Sequence, residues 1–336
     1  MPRTGRCGAL RVSSVARAGW THDELVKGVL AGERRALARA ITLVEDGAPE
    51  AEALVREIYS RTGRAASIGV TGPPGVGKSS LVSALVAEVR GAGRSVGVVS
   101  VDPSSPFSRG ALLGDRIRLA EHFLDPDVYI RSMGTRGHLG GLAEATLQAL
   151  LLVDASGKDV VFLETVGTGQ SEVEVTGIAD IVLLVLMPGS GDAVQALKAG
   201  IMEIPDVIVV NKMDHPAAKT MLQEVRSIVA LDPDRERRPR ILLTDALRGD
   251  GVPELWQALE ARRTELEERG ELAQRRERNL SGEVETLAVA RLRERVREAM
   301  AADAAVGDAV ERVTQRELDP LSAVSLVVDS VTGARG

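Results

Sequence analysis

Cysteine occurs once in this chain of 336 residues, at Cys7, so an intrachain disulfide is excluded and a reducing compartment is expected. Aromatic side chains are almost as scarce: three Phe, two Tyr and two Trp. The core must then be built from Val, Leu, Ile and Ala, and the shortage argues against base-stacking platforms for single-stranded nucleic acid. An excess of positive charge is missing too. The net charge of −6 favours solubility and gives no electrostatic case for a DNA or membrane partner. No apolar run approaches the roughly 20 residues that span a bilayer. A secretory apolar core is likewise absent. The first 22 residues hold arginines and serines and no acid, which faintly resembles an organellar transit peptide. In a chain this rich in arginine, a bacterial cytoplasm is expected ahead of a mitochondrial matrix.

What is present is 44% apolar residues, arranged in two kinds of pattern. Residues 23–62 read as helices: ELVKGVLAGERRALARAITLVEDG has helical apolar spacing up to Gly47, and PEAEALVREIYSRTG follows. From Ser67 on, β-branched runs alternate with helical stretches: SIGVT, VGVVSV, VYIRSM, DVVFLE, DIVLLVLM, DVIVVN and RILLT. Such alternation predicts an α/β fold, a mainly parallel sheet covered by helices on both faces. Ligands of these sheets bind beyond the carboxyl ends of the strands. After a helix near 252–268 the strands stop, and ELEERGELAQRRERN reads as a charged connector. Val284, Ala288, Leu292, Val296 and Met300 then recur every four residues, with Leu287 beside them, as an apolar stripe on a long helix. The stripe fits either the chain's own core or a subunit interface. The expected organisation is a tail and helical extension over 1–62, an α/β nucleotide domain over 63–268 and a helical arm over 269–336.

The loop after the first strand is GPPGVGKSS, Gly72 to Ser80, which fits G-x-x-x-x-G-K-[ST] between a strand and a helix. Gly75 and Gly77 let the backbone approach a phosphate, and the amides from Gly75 through Val76 to Ser79 can form a common nest. The helix N-terminus adds a favourable dipole. Pro73 and Pro74 lack an N–H and stiffen the entry. Lys78, read as a solvated residue, supplies charge to the β- and γ-phosphates, and the Ser79 hydroxyl is placed for Mg²⁺. The chain has only six lysines, so one at this position by chance is improbable.

VIVVNKMD supplies Asn211, Lys212 and Asp214 as N-K-x-D after a buried strand. A carboxylate at Asp214 can accept from both N1–H and the 2-amino group of guanine, which adenine cannot match. The stem of Lys212 can lie against the base plane. GTP and GDP are therefore the expected nucleotides. TDALRGDG follows the last strand. Asp245-Ala246 stands where GTPases commonly have Ser-Ala, with Leu247 next, and a backbone contact from Ala246 to the guanine oxygen would survive that departure.

The segment FLETVGTGQ then becomes the second strand end facing the nucleotide. Glu164 is placed to hold Mg²⁺ or its water shell, which costs less than burying a lone carboxylate. Gly167 can bring an N–H to the γ-phosphate, a contact that GDP cannot make, so the following segment reads as a switch. Gln170 lies two residues further on than the residue that directly follows the switch glycine in Ras-like proteins, so slow intrinsic hydrolysis is expected. Asp102 and Asp115 of VDPSSPFSRGALLGDRIRL fall within reach of the same metal region, although Asp102 before Pro103 equally fits an Asx turn. In MPGSGDAVQALKAG, residues 187–200, Asp192, Gln195 and Lys198 share one face of a helix turn.

Taken together, GPPGVGKSS, VDPSSPFSRGALLGDRIRL, ETVGTGQSE, PGSGDAVQALKAGI and VNKMD resemble the MeaB/ArgK family of P-loop GTPases over about residues 30–335. The resemblance implies a P-loop NTPase fold and a GTPase that acts as chaperone of a cobalamin-dependent acyl-CoA mutase. It implies that Asp192, Gln195 and Lys198, with Glu164, couple the GTP state to that partner. It implies a homodimer through the C-terminal arm, and an adenosyltransferase as a further partner. Two rival readings are a nickel-insertion GTPase and an ArgK-type kinase. The first needs soft or imidazole ligands, yet Cys7, His22, His122, His138 and His215 form no Cys-x-x-Cys or His-rich cluster. The second needs a phospho-acceptor site or lid, and none stands out. A third treats the chain as a dimeric scaffold with nucleotide as a structural ligand. An Asp-x-His-x-x-Gly cobalamin pattern is absent, so the chain is expected to act on a cobalamin enzyme rather than bind cobalamin that way.

Overall fold

The computed structural model describes residues 20–102, 119–134, 141–165, 177–189, 205–234, 236 and 238–333. Seven strands form one sheet: β1 (Ala66–Thr71), β2 (Val96–Asp102), β3 (Val128–Gly134), β4 (Val160–Thr165), β5 (Ile181–Leu186), β6 (Val207–Val210) and β7 (Arg240–Leu243). Every pairing is parallel, in the order β3-β2-β4-β1-β5-β6-β7. The seven runs expected from the sequence are these seven strands. Those of β4, β5 and β6 are buried along their whole length, which is why they read as unbroken apolar runs rather than as alternation.

Helices cover both faces. On one face lie α4 (Lys78–Gly91) and, further along the chain, Val252–Glu268, packed on Ile68, Val70, Val98, Phe162, Leu183 and Val185. The opposite face over β2 to β4 is covered by α1 (His22–Leu30), α2 (Arg34–Glu45) and α3 (Pro49–Ile58), with α5 (Gly141–Ala155). Over β5 to β7 it is covered by α6 (Ala218–Val229). Numbering then continues with α7 (Val252–Glu268), α8 (Glu271–Ala302), α9 (Ala304–Thr314) and α10 (Pro320–Thr332).

Two expectations need correction. The helical reading up to Gly47 breaks at Ala31–Glu33, where Glu33 N–H donates to the Gly28 carbonyl and the chain turns back, so α2 packs on α1. The charged connector is not a loop. It is helix on both sides of Gly270, and its apolar members Leu266 and Leu272 are buried on the α4 face of the sheet. Its arginines clamp the amino ends of two strands. Arg276 donates from Nε and Nη2 to the Asp180 carboxylate, each at 2.7 Å, and from Nη1 to Gly63 O. Arg275 bonds both oxygens of Asp206, at 2.6 and 3.1 Å, and Arg262 adds a third donor. The stripe residues Val284, Leu292 and Met300 are 67%, 50% and 46% exposed, so they do not serve the chain's own core. Among the described residues no helix is long and apolar enough to cross a membrane.

Candidate nucleotide site

The site is built at the carboxyl ends of β1, β2, β4, β6 and β7. Gly72 leaves β1 with φ +139°, and a Cβ there would lie 2.1 Å from the Val185 carbonyl oxygen on β5. Gly77 caps α4 in the left-handed region at φ +95°, and a Cβ there would lie 2.6 Å from Asn211 Nδ2. Both positions therefore demand glycine, for backbone conformation and for space. The loop between them opens onto the first turn of α4, where backbone N–H groups lack helical partners.

Lys78 and Ser79 begin that turn, and both are buried. Lys78 is thus not the solvated residue expected: its Nζ folds back to donate to Gly72 O at 2.5 Å and to Pro73 O at 3.0 Å. The loop's own carbonyls thus hold the ammonium. Ser79 Oγ donates to Glu164 Oε1 at 2.5 Å, a charge-assisted length. Glu164 is the penultimate residue of β4 at 3% exposure, so the two expected cation ligands from different elements meet. A hydroxyl and a carboxylate are hard oxygen donors, which suits Mg²⁺. Among the described residues no cluster of three or more His, Cys, Asp or Glu could hold a metal ion. The side chain of Asp102, and all of Asp115, Gly167, Gln170, Asp192, Gln195 and Lys198, lie outside the described residues.

The far side of the site, at the ends of β6 and β7, is organised by Asn211, which is 2% exposed. Its Nδ2 donates to Val76 O at 2.9 Å, and its Oδ1 accepts from Thr244 Oγ1 and from Ala246 N–H, each at 3.1 Å. One amide thereby fastens the loops after β1, β6 and β7. Lys212 adopts φ +60°, rare for a residue with a Cβ, and its Nζ crosses to Gly75 O at 3.1 Å. Asp214 stands exposed beside it. Asp245 turns inward: its Oδ1 accepts from the N–H groups of Leu247 and Arg248 and closes the 245–250 turn, which leaves Leu247 88% exposed. Asp245 thereby holds the shape of this loop through Oδ1.

Thr244 and Ser100 also belong to the site, and no motif points to either. Thr244 ends RILLT and is fully buried. Ser100 is 1% exposed on β2 and donates to Glu164 Oε2 at 3.2 Å. Ser100 is a hydroxyl within the apolar run VGVVSV and Thr244 one directly after the apolar ILL of β7, and that was the available signal.

The sequence matches the family described as "Methylmalonyl Co-A mutase-associated GTPase MeaB" over residues 37–301. A Pyrococcus horikoshii protein named as a GTPase is 45% identical over 93% of this chain and 98% of its own. The "Methylmalonic aciduria type A homolog, mitochondrial" of Caenorhabditis elegans is 38% identical over 76% of this chain and 69% of its own. Among solved structures, a "LAO/AO transport system kinase" superposes with a TM-score of 0.67 at 28% identity, covering 93% of this chain and 98% of that one.

Proposed function

This chain belongs to the MeaB family of GTPases, and on that premise we propose that it binds GTP with Mg²⁺ and hydrolyses it to GDP and phosphate as the chaperone of a cobalamin-dependent acyl-CoA mutase. In this reading the nucleotide state gates cofactor loading into the mutase and protects it. The observation that supports the nucleotide part is the Asn211 crossing, which ties the loop after β1 to the loops after β6 and β7 in one frame.

The amides from Gly75 to Ser79 would cradle the phosphates, and Lys78 would exchange the Gly72 and Pro73 carbonyls for phosphate oxygens. Asp214 would accept from guanine, and Lys212 would cover the base. Ser79 and Glu164, with Asp102 and Asp115, would hold Mg²⁺, which when bound supplies positive charge to the phosphate oxygens. Gly167 would sense the γ-phosphate, and Asp192, Gln195 and Lys198 would pass that state to the partner. Slow intrinsic turnover follows from the displaced Gln170. A homodimer through the arm, an adenosyltransferase as further partner and a bacterial cytoplasm complete the reading.

The test is GTP hydrolysis by the purified protein, alone and with candidate acyl-CoA mutases, combined with co-purification. Slow turnover that a mutase raises is expected; groups supplied in trans are worth about 10³–10⁵ in other GTPases. A protein that retains no mutase and responds to none would overturn the chaperone reading. The name of the superposed kinase structure makes a second assay worthwhile. Labelled γ-phosphate should pass to water and not to an amino acid or a protein.

A further inference from the structure

Between Val96 and Val101 strand β2 reads VGVVSV, and Ser100 is its one polar side chain. It lies 1% exposed inside a sheet covered on both faces. A buried hydroxyl without an acceptor would cost stability relative to a methyl group. Here the register answers the need: Ser100 stands opposite Glu164 on β4, so both side chains leave the same face, toward α4. Ser100 Oγ donates to Oε2 of Glu164 at 3.2 Å, while Oε1 accepts from Ser79 at 2.5 Å. One carboxylate is thus gripped on both oxygens by hydroxyls from two different elements.

A glutamate needs such a grip more than an aspartate does. Its side chain has one more torsion, and the last of them is broad and twofold, so nothing intrinsic fixes the plane of the carboxylate. We propose that Ser100 is a positioning residue for cation binding: its hydroxyl fixes the carboxylate plane of Glu164 so that Oε1 faces Ser79 and the cation that the pair holds. In this role Ser100 acts only through Glu164, whose Oε2 accepts its hydroxyl. The proposal rests on the reading above that Ser79 and Glu164 hold Mg²⁺.

The test measures affinity of the full-length protein for a fluorescent GDP as free Mg²⁺ is varied. Ser100→Ala should raise the Mg²⁺ concentration for half-maximal tightening about tenfold, the worth of one hydrogen bond to a charged group. Affinity in EDTA should stay within about twofold of wild type, because the phosphate nest does not involve Ser100. Ser100→Thr, which keeps the hydroxyl, should restore the wild-type requirement. In a Glu164→Gln background, Ser100→Ala should add nothing to the Mg²⁺ requirement, which a mere packing role would not reproduce. Should Ser100→Ala fold poorly, Ser100→Cys, close in size and a weak donor, should show the same raised requirement.

An unchanged Mg²⁺ requirement in Ser100→Ala, with Glu164→Gln impaired, would overturn the positioning role and leave the Mg²⁺ reading standing. An effect of equal size in the Glu164→Gln background would overturn it too. A wild type without any Mg²⁺ dependence would overturn the Mg²⁺ reading and this proposal with it.

Discussion

Asn211 and Lys78 show how differently two buried polar residues of one site can matter. Asn211 satisfies two buried groups, Val76 O and Thr244 Oγ1, and the part-buried Ala246 N–H. Asn211→Ala strands them, and each stranded buried group costs about 1–3 kcal/mol, partly recovered by water. We expect a loss of about 2 kcal/mol of stability in urea unfolding without nucleotide, along with weaker GTP binding. Lys78→Ala should instead abolish binding of a fluorescent GTP analogue with the fold retained. The carbonyls of Gly72 and Pro73 that accept from Lys78 each keep a second lone pair, and the Pro73 bond is only part-buried, so water can take the place of the ammonium there. Near-normal affinity in that variant would sink the phosphate-loop assignment. Asp214→Asn should weaken GTP and strengthen xanthosine triphosphate, since Asn can donate to the 2-oxo group; equal competition by ATP and GTP in the wild type would contradict the guanine reading. These residues were legible in the sequence because spacing alone placed them at strand ends. The second layer was not: Ser100, Thr244 and the inward turn of Asp245 depend on which strands lie side by side, and spacing along one chain does not carry that.

At the scale of elements, the strands were legible because buried parallel strands leave unbroken apolar runs, as in DIVLLVLM. The arginine clamp was not. Arg275 and Arg276 sit in a stretch whose charge density resembles a solvated linker, yet they meet Asp206 and Asp180, whose side chains are only 3% and 4% exposed. Those carboxylates come from distant parts of the chain and share only the amino edge of the sheet. Removing Arg276 leaves Asp180 buried beside fewer donors, so Arg276→Ala should cost about 3 kcal/mol in chemical denaturation. Arg276→Lys should recover only part, because an ammonium cannot make the bidentate pair. A loss below a few tenths would show that Asp180 finds water instead. Further along α8, burial pushes the Glu283 carboxyl up from 4.5 to about 7. Between those values the folded state holds a proton that the unfolded chain has released, so stability falls as pH rises through that window. Glu283→Gln should therefore raise the thermal midpoint at about pH 8 and leave it unchanged at about pH 4.

At the scale of the molecule, the arm is the part whose surface does not suit an isolated chain. The stripe from Val284 to Met300 uses a spacing of four, which advances about 40° per step and winds by about 160° over its length. No single flat core could cover it, and Val284, Leu292 and Met300 are indeed exposed. On α10, Leu321, Val324 and Val328 add 80%, 56% and 48% exposure to the same arm. Apolar exposure on this scale marks an interaction surface. A helical arm can meet its own copy about a twofold axis, each stripe serving as the other's partner, which is the homodimer we propose. The clamp makes the idea testable by truncation, because Arg275, Arg276 and Asn279 bind the nucleotide domain before the stripe begins. Deleting residues 281–336 should leave a folded, GTP-binding nucleotide domain that sediments as a monomer, whereas the full chain sediments as a dimer at micromolar concentration. If the deletion exposes Leu280 and its surroundings enough to cause aggregation, charged substitutions at Val284 and Leu292 in the full chain should separate the dimer without loss of GTP affinity. A full-length chain that sediments as a monomer would leave this surface to the mutase or another partner, and the twofold arm would be wrong.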